Sequence, residues 1–485
     1  MINENSADAG GVHHNERRRW FALAVLCLGV LMIVLDVTIV NVALPTIREN
    51  LKFSESSLAW VVNAYLLTSG GFLLLGGRLG DLYGHRRLFL FGIALFTLAS
   101  LACGFADSQW TLVTARAIQG LGGAVVDAVA LSLIVDLFTE TGDRAKAMGV
   151  YGFVCSGGGS IGALLGGFLT NAFDWHWIFL VNVPIGAGVI ALSFALLPAS
   201  RGAGEERHLD VAGAVTVTSA LMLAIYAIVN GNDAGWTSLQ TLGLLAAAGA
   251  LLAIFLFIES RVRVPLMPLA LFRLRNLATA NVVGVLWAAA MFAWFFLSAL
   301  YLQLVLGYSP LQVGLAFVPT NLIMAACSLG ISAKLVMRFG IKPPLAAGLL
   351  CAAAGLLLFA RAPVNGSFVV DVLPPMLLLG FGAGIAFNPV LMAAMNDVAP
   401  NESGLASGIV NTSFMMGGAL GLAVLASIAG ARTERLTALG ADHAAALTGG
   451  YHLAFLGGAL FALLATAAGV VLMRPREQQA TAEQA

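Results

Sequence analysis

Apolar positions along this chain come in long unbroken blocks that recur from residue 21 to residue 473, separated by charged or Pro/Gly/Asn-rich breaks. Fourteen blocks can be counted, near 21–43, 58–77, 88–105, 111–135, 147–171, 177–197, 211–230, 239–258, 277–306, 311–333, 343–360, 369–394, 404–429 and 451–473. Blocks of about 20 residues suit helices that cross a hydrocarbon layer about 30 Å thick. Strands of a membrane barrel would alternate in polarity, and these blocks do not. The pattern predicts an all-α integral membrane protein with fourteen transmembrane helices. The first block follows Arg17, Arg18 and Arg19 as a signal peptide would. It is expected to persist as the first helix, because it is too long, has no A-x-A site and precedes many further blocks.

The breaks set the orientation. With both termini inside, nineteen Lys and Arg fall on the inner side, against Arg48, Lys52, Arg361, Arg432 and Arg435 outside. Lys and Arg accumulate on the cytoplasmic side of membrane proteins, so both termini are expected there, with the chain in the cell membrane. The blocks also repeat. GGRLGDLYGHRR from Gly76 aligns with SAKLVMRFGIKP from Ser332 at an offset of 256, matching Arg78 with Lys334, Gly84 with Gly340 and Arg86 with Lys342. At an offset of 259, Gly149, Gly158, Gly159 and Gly162 meet Gly408, Gly417, Gly418 and Gly421.

The chain therefore reads as two pseudo-symmetric six-helix bundles, 21–198 and 277–473. A central loop and two inserted helices occupy 199–276, and cytoplasmic tails 1–20 and 474–485 flank the whole. Two similar bundles around a central site is the arrangement that alternating access requires.

Composition removes several function classes. Hydrophobic residues make up 59% and charged residues 10% of the 485 positions, and net charge is zero, so nothing points to a nucleic-acid partner. The five cysteines lie in apolar blocks without CxxC spacing, and no metal or cofactor site is expected. GGGSIG at 157–162 satisfies GxGxxG, and GGSIG at 158–162 satisfies GxSxG, but both fall inside an apolar block. No GxxxxGK[ST] occurs, and no enzymatic activity is expected.

What stands out is charge inside the blocks. A charge at mid-membrane costs about 2.5–3.5 kcal/mol on insertion scales, so it calls for a partner or a task. Asp36 lies nine residues before Pro45, roughly 13 Å below the outer end of the first block. Arg116 lies six residues after Trp110, roughly 9 Å below the same surface, so the two can pair. Asp127 follows Arg116 by eleven residues, about three helical turns, on the same face. Structural ion pairs would explain such charges, and so would a carboxylate that exchanges a proton or holds a cation in an aqueous path.

These residues resemble the major facilitator superfamily, and within it the fourteen-helix drug:proton antiporters, over nearly the whole chain. GGRLGDLYGHRR at 76–87 is similar to the motif between the second and third helices, LVTARAIQGLGGA at 112–124 to the fourth-helix motif, and LDVTIVNVALP at 35–45 to the first-helix signature of that branch. GGSIGALLGG at 158–167 is similar to the fifth-helix antiporter motif, with Ala163 where proline is usual. Further departures are His85 in place of a basic residue, His176 and Phe414 where arginine is common, and Asp127 where a small residue or proline is expected.

The resemblance implies a proton-coupled exporter of amphipathic small molecules, cations included, acting as a monomer in the lipid bilayer. Asp36 and Arg116 would couple protons. Asp81, Gly84, Arg86 and Arg144 would gate the inner face, and Gly158, Gly162, Gly166 and Gly167 would pack helices. The remaining polar and aromatic in-block residues, Asp127, Gln119, Asn63, Trp287, Trp294, Tyr301 and Asn411, are the candidates to touch substrate. A dedicated exporter of one endogenous metabolite or lipid is the alternative on the same fold; a non-transporting receptor or scaffold is the alternative from another class.

Overall fold

The computed structural model describes residues 5–54, 57–138, 140–197, 210–262, 265, 269–395, 398 and 403–473. Within these ranges the side chains of residues 5–16 and of scattered positions, including Arg78, Asp81 and Arg144, lie outside the description. So do Arg201, Arg207, Arg263, Arg474 and Arg476 among the predicted inner-side cations, and the tail 474–485.

The described residues form helices and no strand. In order they are α1 (Asn5–Leu51), α2 (Trp60–Tyr83), α3 (His85–Cys103), α4 (Gln109–Leu137), α5 (Thr141–Ala172), α6 (Trp177–Leu180), α7 (Asn182–Leu196) and α8 (Val211–Ala234). They continue with α9 (Leu239–Arg261), α10 (Arg275–Leu300), α11 (Pro310–Ala326), α12 (Ser332–Phe339), α13 (Lys342–Phe359), α14 (Leu373–Met395), α15 (Ser403–Ala438) and α16 (His443–Leu472). Among the described residues, eleven helices are long and apolar enough to cross a membrane. Three shorter apolar stretches, Ser57–Leu73, Ile161–Ala172 and Pro310–Ala326, coincide with the second, fifth and tenth predicted blocks.

Local chemistry sets the boundaries. Ser108, Ser238 and Ser309 cap α4, α9 and α11 by accepting an early backbone N–H, and Gln312 completes a capping box with Ser309. Gly84, at φ 93°, lets α2 turn directly into α3. Helix α1 differs from its predicted block at both ends, starting earlier and continuing through Pro45 to Leu51. Proline supplies no N–H to the turn before it. One turn before Pro45 the carbonyl of Val42 accepts Gln303 Nε2 at 2.8 Å. Single π turns at 301–305, 327–331 and 368–372 interrupt three other blocks.

Helices α1–α7 pack mainly among themselves, as do α10–α16. The principal bridges between these groups are α5 against α11 and α2 against α15, while α8 lies on both α2 and α15 and carries α9 on its side. Glycines let backbones approach in both groups of helices. A Cβ on Gly122 of α4 would sit 2.6 Å from the Phe96 nitrogen of α3, and one on Gly382 of α14 would sit 2.8 Å from the Ala352 nitrogen of α13. Likewise Gly162 of α5 meets Leu35 O and Thr38 of α1, and Gly421 of α15 meets Ala289 of α10. Cations at the ends of α1, α3, α10 and α13 make similar contacts. Arg18 donates to Ala195 O and Arg275 to Leu472 O. Arg86 donates to Phe194 O at 2.8 Å, and its repeat counterpart Lys342 to Val470 O at 2.9 Å. Each cation satisfies carbonyls at a helix C-terminus, where the backbone dipole favours positive charge.

The α1–α5 contact has no room for a side chain, since a Cβ on Gly162 would lie 2.0 Å from Thr38 Oγ1 and 3.0 Å from Leu35 O. Gly162→Val is expected to destabilise the protein by about 1–3 kcal/mol, as overpacking does. Gly188→Ala, with nothing within 4 Å, should leave stability unchanged. Tryptophan-fluorescence melting in detergent checks this, and equal melting of both variants would contradict it.

Candidate functional site

Asp36 and Arg116 are brought together as their depths require. Asp36 is 0% and Arg116 1% exposed, and Arg116 Nη1 donates to Asp36 Oδ2. Arg116 also donates from Nη1 to Gln119 Oε1 (2.7 Å), one helical turn along α4, and from Nε to Val61 O of α2 (3.0 Å). The other carboxylate oxygen, Asp36 Oδ1, accepts Gln119 Nε2 at 2.8 Å and Asn182 Nδ2 at 3.1 Å. Ser100 Oγ accepts from the same two amides, at 3.2 and 3.0 Å, and donates to Phe179 O at 2.9 Å. The guanidinium lies 4.5 Å from the Tyr65 ring centroid and 5.6 Å from that of Phe179.

Six helices, α1 to α4, α6 and α7, thus meet on one ion pair. Taking both ions out of water costs several kcal/mol each, which their attraction offsets only when the remaining donors and lone pairs are satisfied. Here Gln119, Asn182 and the Val61 carbonyl bond the ions directly, and Ser100 holds the two amides. Gln119 was expected to touch substrate, but it is 0% exposed and belongs to this cluster. Sequence reasoning missed Ser100 and Asn182. Asn182 carries a signal, an amide inside the apolar run FLVNVPIG.

Asp127 is separate. It is half-buried on α4 and, among the described residues, makes no hydrogen bond or ion pair. Asn411 of α15 is exposed, and Asn63 is fully buried with neither amide atom partnered among the described residues. The aromatic expectation needs correction. Trp287, Trp294 and Tyr301 are each 1% exposed, enclosed by the packing of α10 on its neighbours, and Tyr301 Oη donates to Pro363 O at 2.7 Å. The accessible rings are smaller: half-buried Phe292 and Phe414 meet edge to face at 5.9 Å, and exposed Phe387 meets Phe414 at 6.0 Å.

Of the residues expected to gate, Gly84 forms the α2–α3 turn and Arg86 donates to a carbonyl at the end of α7, while the side chains of Asp81 and Arg144 lie outside the described residues. Gly158, Gly162 and Gly166 form one stripe against α1. Gly167 points to α11, where a Cβ would lie 2.6 Å from Pro310 O.

Comparison with known proteins agrees with this architecture. A model of the Major Facilitator Superfamily matches residues 26–422. The puromycin resistance protein pur8 of Streptomyces alboniger is 39% identical over 438 residues, covering 90% of this chain and 87% of its own. The cephamycin export protein CmcT of Amycolatopsis lactamdurans is 38% identical over 448 residues, covering 91% and 90%. Among solved structures, a bacterial homolog of the human lysosomal transporter Spinster, in an inward-facing, unoccupied conformation, superposes with a TM-score of 0.64. It shares 17% identity and covers 94% of this chain and 97% of its own.

Removing one member of the buried pair leaves the other charged and unpaired, which typically costs about 3–5 kcal/mol. Asp36→Leu and Arg116→Met should each lower stability by that order, whereas the double variant should lose much less than their sum. Denaturation of the purified variants measures the coupling, and strict additivity would exclude a stabilising pair.

Proposed function

The chain belongs to the Major Facilitator Superfamily, and from that membership we propose that it is a proton-coupled exporter of amphipathic small molecules, cationic ones included, working by alternating access. Relatives at 33–39% identity are named for antibiotic or multidrug resistance and export, which supports efflux as the activity. The reading takes the eleven long helices and three shorter apolar stretches as fourteen crossings. It divides them into two six-helix bundles, 21–198 and 277–473, joined by the inserted pair α8 and α9. The matched glycine contacts and matched inner-end caps support that division. Both termini are assigned to the cytoplasmic face of the cell membrane on the Lys and Arg distribution.

The single observation that carries the mechanism is the contrast between two carboxylates reached from α4. Asp36 is fully enclosed and ion-paired, while Asp127 is half-buried and unpaired among the described residues. Contacts between the bundles involve predicted outer ends: Gln303 with Val42 O, Gly167 with Pro310, and Gly314 with Ala163 O. On the inner side Met337, the repeat counterpart of Asp81, is 79% exposed. The described conformation accordingly reads as inward-open, with substrate entering from the cytoplasm or inner leaflet and Asp127 available to a cation.

Protonation of Asp36 from outside would remove the anion that Arg116 faces, loosening the contacts of six helices and favouring release and resetting. A potential of 100 mV supplies about 2.3 kcal/mol per charge moved, enough to bias such a cycle. The inner gate is assigned to Asp81, Gly84, Arg86 and Arg144. A dedicated exporter of one compound is the second reading, favoured by relatives named for single antibiotics such as puromycin and cephamycin.

In proteoliposomes, export of a cationic dye should follow an imposed pH gradient. Asp36→Asn should abolish that dependence while leaving dye counterflow; export indifferent to the gradient in the unaltered protein would overturn proton coupling. Asp127→Asn should lower export of cationic dyes about tenfold, the scale of losing one partly desolvated charge partner, and leave neutral dyes within about twofold. Equal losses for both dye classes would assign Asp127 to structure or to proton coupling.

A further inference from the structure

The turn that joins α5 to α6 reads Asp174-Trp175-His176-Trp177, and its side chains are tied to one another. Asp174 Oδ1 accepts the backbone N–H of His176 at 2.8 Å and lies 3.0 Å from the imidazole Nδ1. The imidazole stacks on the indole of Trp175, with ring centroids 3.7 Å apart and planes 25° apart. Trp175 is buried, whereas the side chains of Asp174 and His176 are 54% and 28% exposed, so the pair is open to protons from solvent.

Two routes lead from this turn to Asp36. Through the backbone, His176 O accepts the amides of Phe179 and Leu180, both at 3.1 Å, and Phe179 O accepts Ser100 Oγ, which holds the Gln119 and Asn182 amides on Asp36. Through the rings, Trp175 meets Phe179 edge to face at 6.3 Å, and Phe179 lies 5.6 Å from the Arg116 guanidinium. The fit leaves no gap on the α3 side, where a Cβ on Gly104 would lie 2.4 Å from Leu180 Cδ2. Ile178 and Phe179 are fully buried while Asp174 and Trp177 are exposed. Helix α6 is therefore the cover of the ion-pair cluster at the end that the proposed orientation puts outside.

We infer that His176 and Asp174 form a latch, tighter when the imidazole is protonated, that holds α6 over Asp36 and so sets how readily a proton from outside reaches it. The inference rests on the reading of the chain as a proton-coupled exporter and deepens it by naming what regulates proton entry. His176 is a positioning residue, acting on Asp36 only through Phe179 and Ser100. A histidine changes charge between about pH 5 and 8. Once charged, its bond to a carboxylate is roughly twice as strong as a neutral one, and an indole face attracts the cation as well. The latch is thus at full strength in acid and loses strength as pH rises. Other ionisable groups at the outer ends of the elements packed against α6 are Asp107 after α3 and Arg48, Glu49 and Lys52 at the end of α1. The Cys103 thiol of α3 is bonded to Gln119, and neither α5 beyond Cys155 nor α7 carries an ionisable side chain.

Hydrogen–deuterium exchange of the 177–182 amides in the purified protein tests this, with variants compared at one pH so that the intrinsic rate cancels. At about pH 8, His176→Arg, a permanent cation, should exchange about threefold more slowly than the unaltered protein, the scale of a partly exposed ion pair, and at about pH 5.5 the two should match. His176→Gln should do the reverse, matching the unaltered protein at about pH 8 and exchanging about threefold faster at about pH 5.5. Asp174→Asn, whose amide oxygen still accepts the His176 N–H, should follow His176→Gln. Equal exchange of His176→Arg and His176→Gln, or differences from the unaltered protein that ignore pH, would overturn the inference. Dye export from proteoliposomes is read separately at the same two external pH values, with the gradient held constant. His176→Arg should lower it about threefold at about pH 8 only. Export that none of the variants alters would detach the latch from Asp36 and overturn the inference. Absence of export by the unaltered protein, with the exchange pattern intact, would overturn the exporter reading and leave the latch standing.

Discussion

A charge pair that cannot leave hydrocarbon organises the first group of helices. A guanidinium in the middle of an apolar helix is costly unless an anion meets it at the same depth. Asp36 does so, and neighbouring helices serve the pair: the Val61 carbonyl from α2, Gln119 from α4 and Asn182 from α7 bond it directly, and Ser100 from α3 holds the two amides. The same requirement makes the cluster consequential for function. A network satisfied only when all its members are present changes as a unit when one member changes charge.

The second group of helices shows what the fold looks like without that requirement. Glycine contacts set the correspondence, because Gly158 and Gly162 meet Val34 and Thr38 while Gly417 and Gly421 meet Val285 and Ala289. Position 36 therefore corresponds to Trp287. The α4–α14 match of Gly122 with Gly382 sets Arg116 against Met376 and Gln119 against Leu379, all three counterparts being buried apolar residues. The glycine contacts have counterparts in the two groups of helices, and the electrostatics do not. Close approach of backbones at glycine is thus the shared structural principle, and the ion pair is an addition to one copy.

This division also explains what could be read in the sequence. Block lengths, the glycine repeat and the depth match of Asp36 and Arg116 are local or periodic properties, so they transfer directly to helices and to a contact. Which face of a helix looks into a cavity is not local, because it depends on how α10 rotates against α15 and α16. That is why Trp287, Trp294 and Tyr301, chosen for ring size, are enclosed, while Phe292 and Phe414 are accessible. Gln119 was misread for a related reason: an amide in an apolar block fits a cavity and a buried network equally well, and only the placement of Ser100 and Asn182 decides between them.

The same correspondence places Asp127 opposite Phe387. Both lie in the C-terminal half of their helices, α4 and α14, neither is enclosed, and one presents a carboxylate where the other presents an aromatic ring in reach of Phe414. An amphipathic cation has two features to be recognised, its charge and its apolar body. A pseudo-symmetric pair of positions that has diverged into a carboxylate and a ring offers one partner to each. Asp36 could not serve in that way, because a carboxylate that is 0% exposed and bonded to Arg116, Gln119 and Asn182 is not open to a ligand without first breaking the cluster. Holding a cation and sensing a proton make opposite demands on a carboxylate, one for access and the other for enclosure, and in the proposed cycle the two aspartates would meet those demands separately.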